Sequence, residues 1–363
     1  MPDAGLVTGL FPPQDREWAL PAGVPLTSVA AERLAREAAQ KTFEPAARSL
    51  SMDWNMELDG KQVQRWSEHL GNAVVAAREE ELSAQAQGIL PEGPLNPPSL
   101  LVIGMDGGRV QGREKNHDTK SRWREDKVAS FTSYLPGDGG ERKPRALVTT
   151  YVATMGKAEA FGPMVELEAR RRGQARALKV LNISDAGNWI DPIEEKHHLA
   201  DVRIVDFNHS SEHVSDVAKA LRGRDTPEAF TLWEQLRTLL WDGKVKQVIK
   251  YIGEEMRRLG PPTATDGPEH PRRTLQQNEG YFENNKEHMK YDQYRSKGWP
   301  IGSGNIEAGV KGFNKRVKGT DQFWNMEGVE SILALRAMWM SQDQRWERYW
   351  ANRPTLGCRR QAA

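Results

Sequence analysis

Three acidic residues, Asp106, Asp185 and Glu307, fall where the sequence pattern places the ends of strands or helices. Asp106 closes the apolar run SLLVIGMDGG, Asp185 follows KVLNIS, and Glu307 lies just inside a helix that opens at GSGN. Carboxylates at the carboxyl ends of strands in one sheet converge on one edge, where their oxygens suit hard divalent cations. Two such ions about 4 Å apart can activate an attacking oxygen and stabilise a leaving one in phosphodiester cleavage. Apposed carboxylates repel, so without a cation the cluster favours a retained proton. The local signal at Asp106 is poor, because Asp-Gly pairs are common turn residues and MDGG reads as a strand running out into a turn.

The Glu307 helix strengthens the pattern. Ile306, Val310, Phe313 and Val317 recur at helical spacing and predict a core-facing stripe, while Glu307, Lys311, Lys315 and Lys318 form an adjacent one. An acid followed by lysines on one face fits a metal ligand with phosphate contacts leading away from it, and Arg316 adds to the same basic run. The plainer reading is a Glu–Lys pair on a solvated helix. From Arg295 to Ala363 there are 12 Lys/Arg and 6 Asp/Glu, an excess that the whole chain, at a net charge of +1, does not show. Asp206 ends a fifth strand beside that of Asp185 and reads as a supporting acid. His197, His198, His209 and His213 read as hydrogen-bonding groups near that edge rather than as zinc ligands, since HSSEH is not an HExxH motif. Trp299 and Trp324 read as core or anchor residues.

Elements able to position these residues follow along the chain. Helices through Glu44–Leu50 and Gly60–Leu70, joined by the turn-like SMDWNMELDG, outline a helix-turn-helix. Val63, Trp66 and Leu70 face inward, leaving Lys61, Gln62, Gln64 and Arg65 outward as candidate DNA contacts. Plain helical packing explains the same pattern. PEGPLNPP, residues 91–98, is a linker. Beyond it the order β-β-β-α-β-α-β predicts a mixed sheet with helices on its faces, the layout of a ribonuclease H-like core. Residues 211–299 read as a helical insertion containing one Pro- and Gly-rich loop (260–273) and a helix through YFENNKEHMKYDQYRSKG that WPIGSG breaks. The expected organisation is therefore a helical segment at 1–90, a catalytic core at 99–210 and 300–340, and a tail at 341–363.

Composition narrows the classes. At 363 residues with 38% hydrophobic residues, the chain can bury two or three domain cores, and disorder is excluded as its main character. No window resembles a membrane span or a signal peptide, so a cytoplasmic, nucleoid-associated protein is expected. One cysteine, Cys358, excludes an intrachain disulfide and a thiolate zinc cluster.

The blocks MDGG, SDAGNWI, VDFNHSSEHV and YFENNKEHMKYDQYRSKGWPIGSGNIEAGVKGFNKRVKG, with FWNMEGVESILALRA, resemble the ISKra-type group of bacterial insertion-sequence DDE transposases. The resemblance runs from about FPPQD to the last helix, and the GSGNIE block with its basic helix and FWN is its most specific part. It implies a ribonuclease H-like catalytic domain interrupted by a helical insertion, with Asp106, Asp185 and Glu307 as metal-binding acids. Asp206 and His209 match a D-x-x-H element, and Gly302 and Gly304 match the turn that presents the glutamate. The implied reaction is hydrolysis at the ends of a mobile element followed by attack of the freed 3′-hydroxyl on target DNA, with Mg²⁺ or Mn²⁺ as cofactor and a homo-oligomer assembled on DNA. Members usually carry a cysteine-rich segment ahead of the FPPQD-like stretch, whereas this chain begins almost at that stretch, the pattern of a truncated copy with impaired end recognition or assembly. A transposase-derived DNA-binding protein that does not cut, a metal-dependent nuclease or resolvase, and more remotely a small-molecule hydrolase are the alternatives.

Overall fold

A computed structural model describes residues 26–116, 119–187, 189–319 and 322–352. The FPPQD stretch, Cys358 and the end of the expected tail lie outside the described residues. The chain is a mixed α/β protein built on a five-stranded sheet in the order β3-β2-β1-β4-β5. The strands are β1 (Leu100–Gln111), β2 (Trp123–Leu135), β3 (Arg145–Thr154), β4 (Lys179–Ser184) and β5 (Val202–Val205). β1, β2 and β3 form an antiparallel meander, and β4 and β5 run parallel to β1. The parallel half is covered on both faces, which is why SLLVI is a nearly continuous apolar run rather than an alternating one, and why Asn182 and Ser184 of β4 are buried.

Thirteen helices are described: α1 (Ser28–Gln40), α2 (Phe43–Trp54), α3 (Gly60–Ala86), α4 (Ala158–Arg171), α5 (Ile190–His197), α6 (Phe207–Arg222), α7 (Pro227–Trp241), α8 (Val245–Leu259), α9 (Pro271–Asn285), α10 (Tyr291–Ser296), α11 (Gly304–Val317), α12 (Met326–Met340) and α13 (Arg345–Ala351). Leu101, Ile103 and Met105 of β1 pack with Phe161 and Val165 of α4 and Ile190 and Ile193 of α5 on one sheet face. The opposite face is shared by two cores. Leu100 and Val102 meet α6–α10 through Val214, Leu236, Val248 and Phe282. Val110 and Val128 instead meet α11, α12 and the first three helices through Phe313, Ile332, Leu34 and Leu70.

Four local expectations need correction. Asp106 does not end its strand: β1 continues to Gln111, and Asp106 stands in ladder register with Val128. Gly107 and Gly108 are therefore strand residues, and their small size has a different cause. A Cβ on Gly107 would lie 2.8 Å from Glu125 Oε1, and one on Gly108 would lie 2.5 Å from Asp126 Oδ1, so both glycines make room for acids on β2. The turn between the early helices is shorter than expected because Ser51–Trp54 complete α2, and the following helix runs on to Ala86. Residues 271–296 are not one helix: α9 gives way to a 3₁₀ turn at Lys286–His288 before α10. That break lets the Tyr291 hydroxyl reach Val205 O at 3.0 Å and Ser210 Oγ at 2.8 Å. Finally, the segment read as a tail contains α13, which buries Trp346 and Trp350.

Candidate active site

Strand register sets the spacing of the first two acids. β1 and β4 pair from Leu100↔Lys179 to Ile103↔Asn182, and continuing that register by three residues puts Asp185 level with Asp106 on the same face. The link persists beyond the ladder, where Met105 N donates to Ser184 Oγ at 3.2 Å. β4 and β5 pair up to Ser184↔Val205, so Asp206 falls level with Asp185 in turn. Three aspartates thus stand abreast on adjacent strands.

Glu307 reaches this row from above. α11 crosses β1 where Gly104 has no side chain, since a Cβ there would lie 2.9 Å from Ile306 Cβ. Asn305 Nδ2 donates to Thr132 Oγ1 at 3.1 Å and Tyr134 OH at 2.8 Å, fixing the helix against β2. The Glu307 carboxylate accepts from Ser303 Oγ at 3.1 Å and from Lys311 Nζ at 3.3 Å. Asp106 is half-buried, with Oδ1 accepting from Gly107 N at 2.6 Å. Burial pushes its carboxyl up to about 6, and the charges of Asp185 and Glu307 push the same way, so the three groups lie within electrostatic reach of one another.

Asp206 has a different task. It is 1% exposed, caps α6 through a 2.6 Å bond from His209 N, and accepts from Ser303 N with its other oxygen. Phe207 N donates to Ile301 O at 3.0 Å alongside. Both oxygens of Asp206 are thus engaged in clamping the 301–303 loop that leads into α11, and it positions Glu307 rather than joining it. Gly302 passes this clamp, with Asp206 Oδ2 3.8 Å from where its Cβ would stand, while Gly304 faces open space. Neither has a positive φ.

The other predicted residues divide. His209 is part-exposed, lies 3.5 Å from Glu212, and is close enough to Asp106 for its charge to favour ionisation there. His213, one turn on, stacks on Tyr281 at 3.6 Å and bonds Asn278 at 2.7 Å. His197 pairs with Glu166 beside α4, on the other face. Lys311, Lys315 and Lys318 are exposed, as are Lys61 and Arg65. Arg316 must be withdrawn as a DNA contact. It is 1% exposed, its Nε donates to Ala38 O at 2.6 Å, and its guanidinium packs against the rings of Phe43 and Trp324, which meet edge to face. Helical periodicity places it beside the Val317 stripe, and the buried carbonyl at the end of α1 accepts from its Nε there, while Nη2 has no hydrogen-bond partner.

Sequence reasoning missed Asp126. It is fully buried on the same sheet face as Asp106, and neither carboxylate oxygen has a hydrogen-bond partner. Burial first, then the charges of Glu125 and Asp106, raise its carboxyl to about 6. The glycines opposite Glu125 and Asp126 were the only signal, and they read as a turn.

The donor set consists of carboxylate oxygens, the chemistry that Mg²⁺ and Mn²⁺ accept, and the mutual repulsion at Asp106 is what a cation would relieve. As the side chains stand, no group of three or more His, Cys, Asp or Glu among the described residues converges closely enough to hold a metal ion. Among those residues no helix is long and apolar enough to cross a membrane.

No protein-family model matches the chain, and no curated protein matches it. Among solved structures it is similar to the Drosophila P element transposase strand transfer complex, with 9% sequence identity and a TM-score of 0.38 over 87% of this chain and 93% of that one. At that identity and score the likeness says nothing of which residues act, and the chemistry has to follow from the site itself.

Proposed function

We propose that this chain is a DNA transposase of the ISKra type, which cleaves the ends of an insertion sequence and joins them to target DNA. The observation that supports it is the placement of Asp106 and Asp185 level on adjacent strands, with Glu307 on a helix whose leading loop is clamped by Asp206. In this reading the sheet and its flanking helices form a ribonuclease H-like core, residues 211–299 are an insertion within it, and helices α1–α3 form a DNA-binding unit acting through Lys61 and Arg65.

Asp106, Asp185 and Glu307 would hold Mg²⁺ or Mn²⁺ through their carboxylate oxygens. When bound, the metal supplies Lewis acidity to the attacking and leaving oxygens of an in-line displacement. Asp206 keeps the 301–303 loop in place and so positions the Glu307 helix. Lys311, exposed and paired with Glu307 at 3.3 Å, would contribute a phosphate contact beside the carboxylates. Lys315 and Lys318 continue that contact away from the cut. His209, beside Asp106, can accept or return a proton at the rim. Two DNA ends require more than one subunit, so a homo-oligomer on DNA belongs to the proposal.

The test is incubation of purified protein with DNA carrying the repeats that flank its own gene, with Mg²⁺ or Mn²⁺. Cutting and joining are expected, and Asp185→Ala should lower both by more than about 100-fold, since even outer-shell changes at metal sites cost about 10–100-fold. Cutting without joined products would instead make the chain a nuclease. The separation of the carboxylates as they stand favours one second reading, a transposase-derived protein that binds the ends without cutting them. Protection of the ends in a footprint, with no nicks at any metal concentration, would establish it.

A further inference from the structure

β1 and β2 outrun the sheet. β4 pairs with β1 only as far as Ile103, and β3 pairs with β2 only from Lys127 onward, so residues 107–111 and 123–126 form a two-stranded ribbon extending past the carboxylates. The ribbon and its continuation carry Arg109, Arg113, Lys115, Lys120, Arg122 and Arg124, with only Glu114 and Glu125 as exposed acids among the described residues. No carboxylate among those residues pairs with any of the six. Three of the arginines instead donate to main-chain carbonyls: Arg113 to Phe323 at 3.3 Å, Arg122 to Arg113 at 2.6 Å, and Arg124 to Ser121 at 2.7 Å. Those bonds orient the guanidinium groups.

Two large aromatic side chains are exposed on this ribbon. Trp123 is 39% exposed with Lys318 Nζ 5.6 Å from its ring, and Phe323 is 42% exposed with the Arg122 guanidinium 5.4 Å from its ring. Phe323 is held there because Trp324 N bonds Gln111 O at 2.9 Å and Arg113 N bonds Trp324 O at 2.8 Å, laying the segment against the end of β1. Lys318 also joins the ribbon to α11, so the exposed lysines run from Glu307 to the aromatic pair as one track.

A hydrophobic core would bury Trp123 and Phe323, and a solvated hairpin would balance its charge. Exposed rings flanked by guanidinium and ammonium groups suit unpaired bases, which stack on aromatic faces while their phosphates meet Lys and Arg. We infer that the ribbon, with Phe323 and Lys318, is a binding surface for single-stranded DNA, holding the unpaired strand that leaves the carboxylates. That the polymer is DNA rests on the function proposed above; that it is unpaired rests on the aromatic pair.

The test uses full-length protein in EDTA, with a labelled 15-nucleotide oligothymidylate and a 15-base-pair duplex, read by fluorescence anisotropy. Wild type is expected to bind the single strand, and the Trp123→Ala/Phe323→Ala protein to bind it about 5–100-fold more weakly, with duplex affinity much less affected. Arg113→Ala should lower the salt dependence by about one counterion. Lys250→Ala, an exposed charge on α8, should change neither. A melting curve verifies folding of each variant. Independently of any variant, ultraviolet crosslinking of bromodeoxyuridine oligonucleotides to wild type should map to Trp123 or Phe323. Unchanged single-strand affinity in the folded double variant, a duplex preference that it abolishes equally, or crosslinks confined elsewhere would overturn the inference. Because these arms need no metal, they stand apart from the cutting assay: loss of cutting with intact stacking fails the transposase reading alone, and intact cutting with unchanged stacking fails this one alone.

Discussion

Asp126 carries a charge cost that can be measured. A carboxyl raised to about 6 in the fold from an ordinary 3.8 stabilises the native state fully below about pH 3.8, and that contribution is lost as pH rises through 6. The full penalty is about 3 kcal/mol above that range, of which about 1 kcal/mol falls between pH 5 and pH 7. In Asp126→Asn the decline in stability from pH 5 to pH 7, followed by urea unfolding, should therefore shrink by about 1 kcal/mol; an unchanged decline would assign the titration to another group. The same residue shows where sequence reading stopped. The grouping of Asp106, Asp185, Glu307 and Asp206 at one sheet edge was legible from their positions near strand ends or before a basic helix, although Asp106 lies inside its strand. Asp126 was not, because its partner signal, two glycines on another strand, is a cross-strand relation that one chain read in order does not display.

At the level of elements, the β-β-β-α-β-α-β order was legible because buried strands and amphipathic helices have different periods. Where it failed, tertiary contacts outweighed local signals, as where Tyr291 bonding to β5 breaks the long helix. Helix contact at Gly71 makes the point testable. A Cβ there would lie 2.5 Å from Ser331 O, so α3 and α12 touch through their backbones. Gly71→Ala should cost about 1–3 kcal/mol and lower the melting temperature by several degrees. Gly280 in α9 has nothing within 4 Å of the same position, and Gly280→Ala should instead stabilise by up to about 1 kcal/mol through helix propensity. Equal effects in a thermal melt would show that helix propensity, not close approach, governs both sites.

For the molecule as a whole, two buried arginines tie its first helix to the helices around the site. Arg316 donates to Ala38 O and Arg336 to Ala39 O, meeting the carbonyls at the negative end of α1, and Arg336 also bonds Gly312 O at 2.9 Å. Burial and the neighbouring Arg336 charge lower the proton affinity of Arg316. Arg316→Ala would leave a buried carbonyl unpaired and a space beside Phe43 and Trp324, a loss of about 3–5 kcal/mol. Arg316→Lys should not restore it, because an ammonium lacks the planar face that packs against the two rings. Limited proteolysis should then release α1 and α2 first. If cleavage begins in α6–α10 instead, the first helices are held by something other than this arginine.

The core shared by Leu34 and Leu335 also bears on how the protein is made. Synthesis proceeds from the N-terminus at about 5–20 residues per second, so the apolar face of α1 leaves the ribosome about 15–60 s before the residues that cover it. Throughout that interval Ala31, Leu34, Ala35 and Ala38 have no final partner from α12. The face is exposed to solvent throughout that wait, and the row of Asp106, Asp185 and Glu307, which needs α11 in place, is completed only near the end of translation.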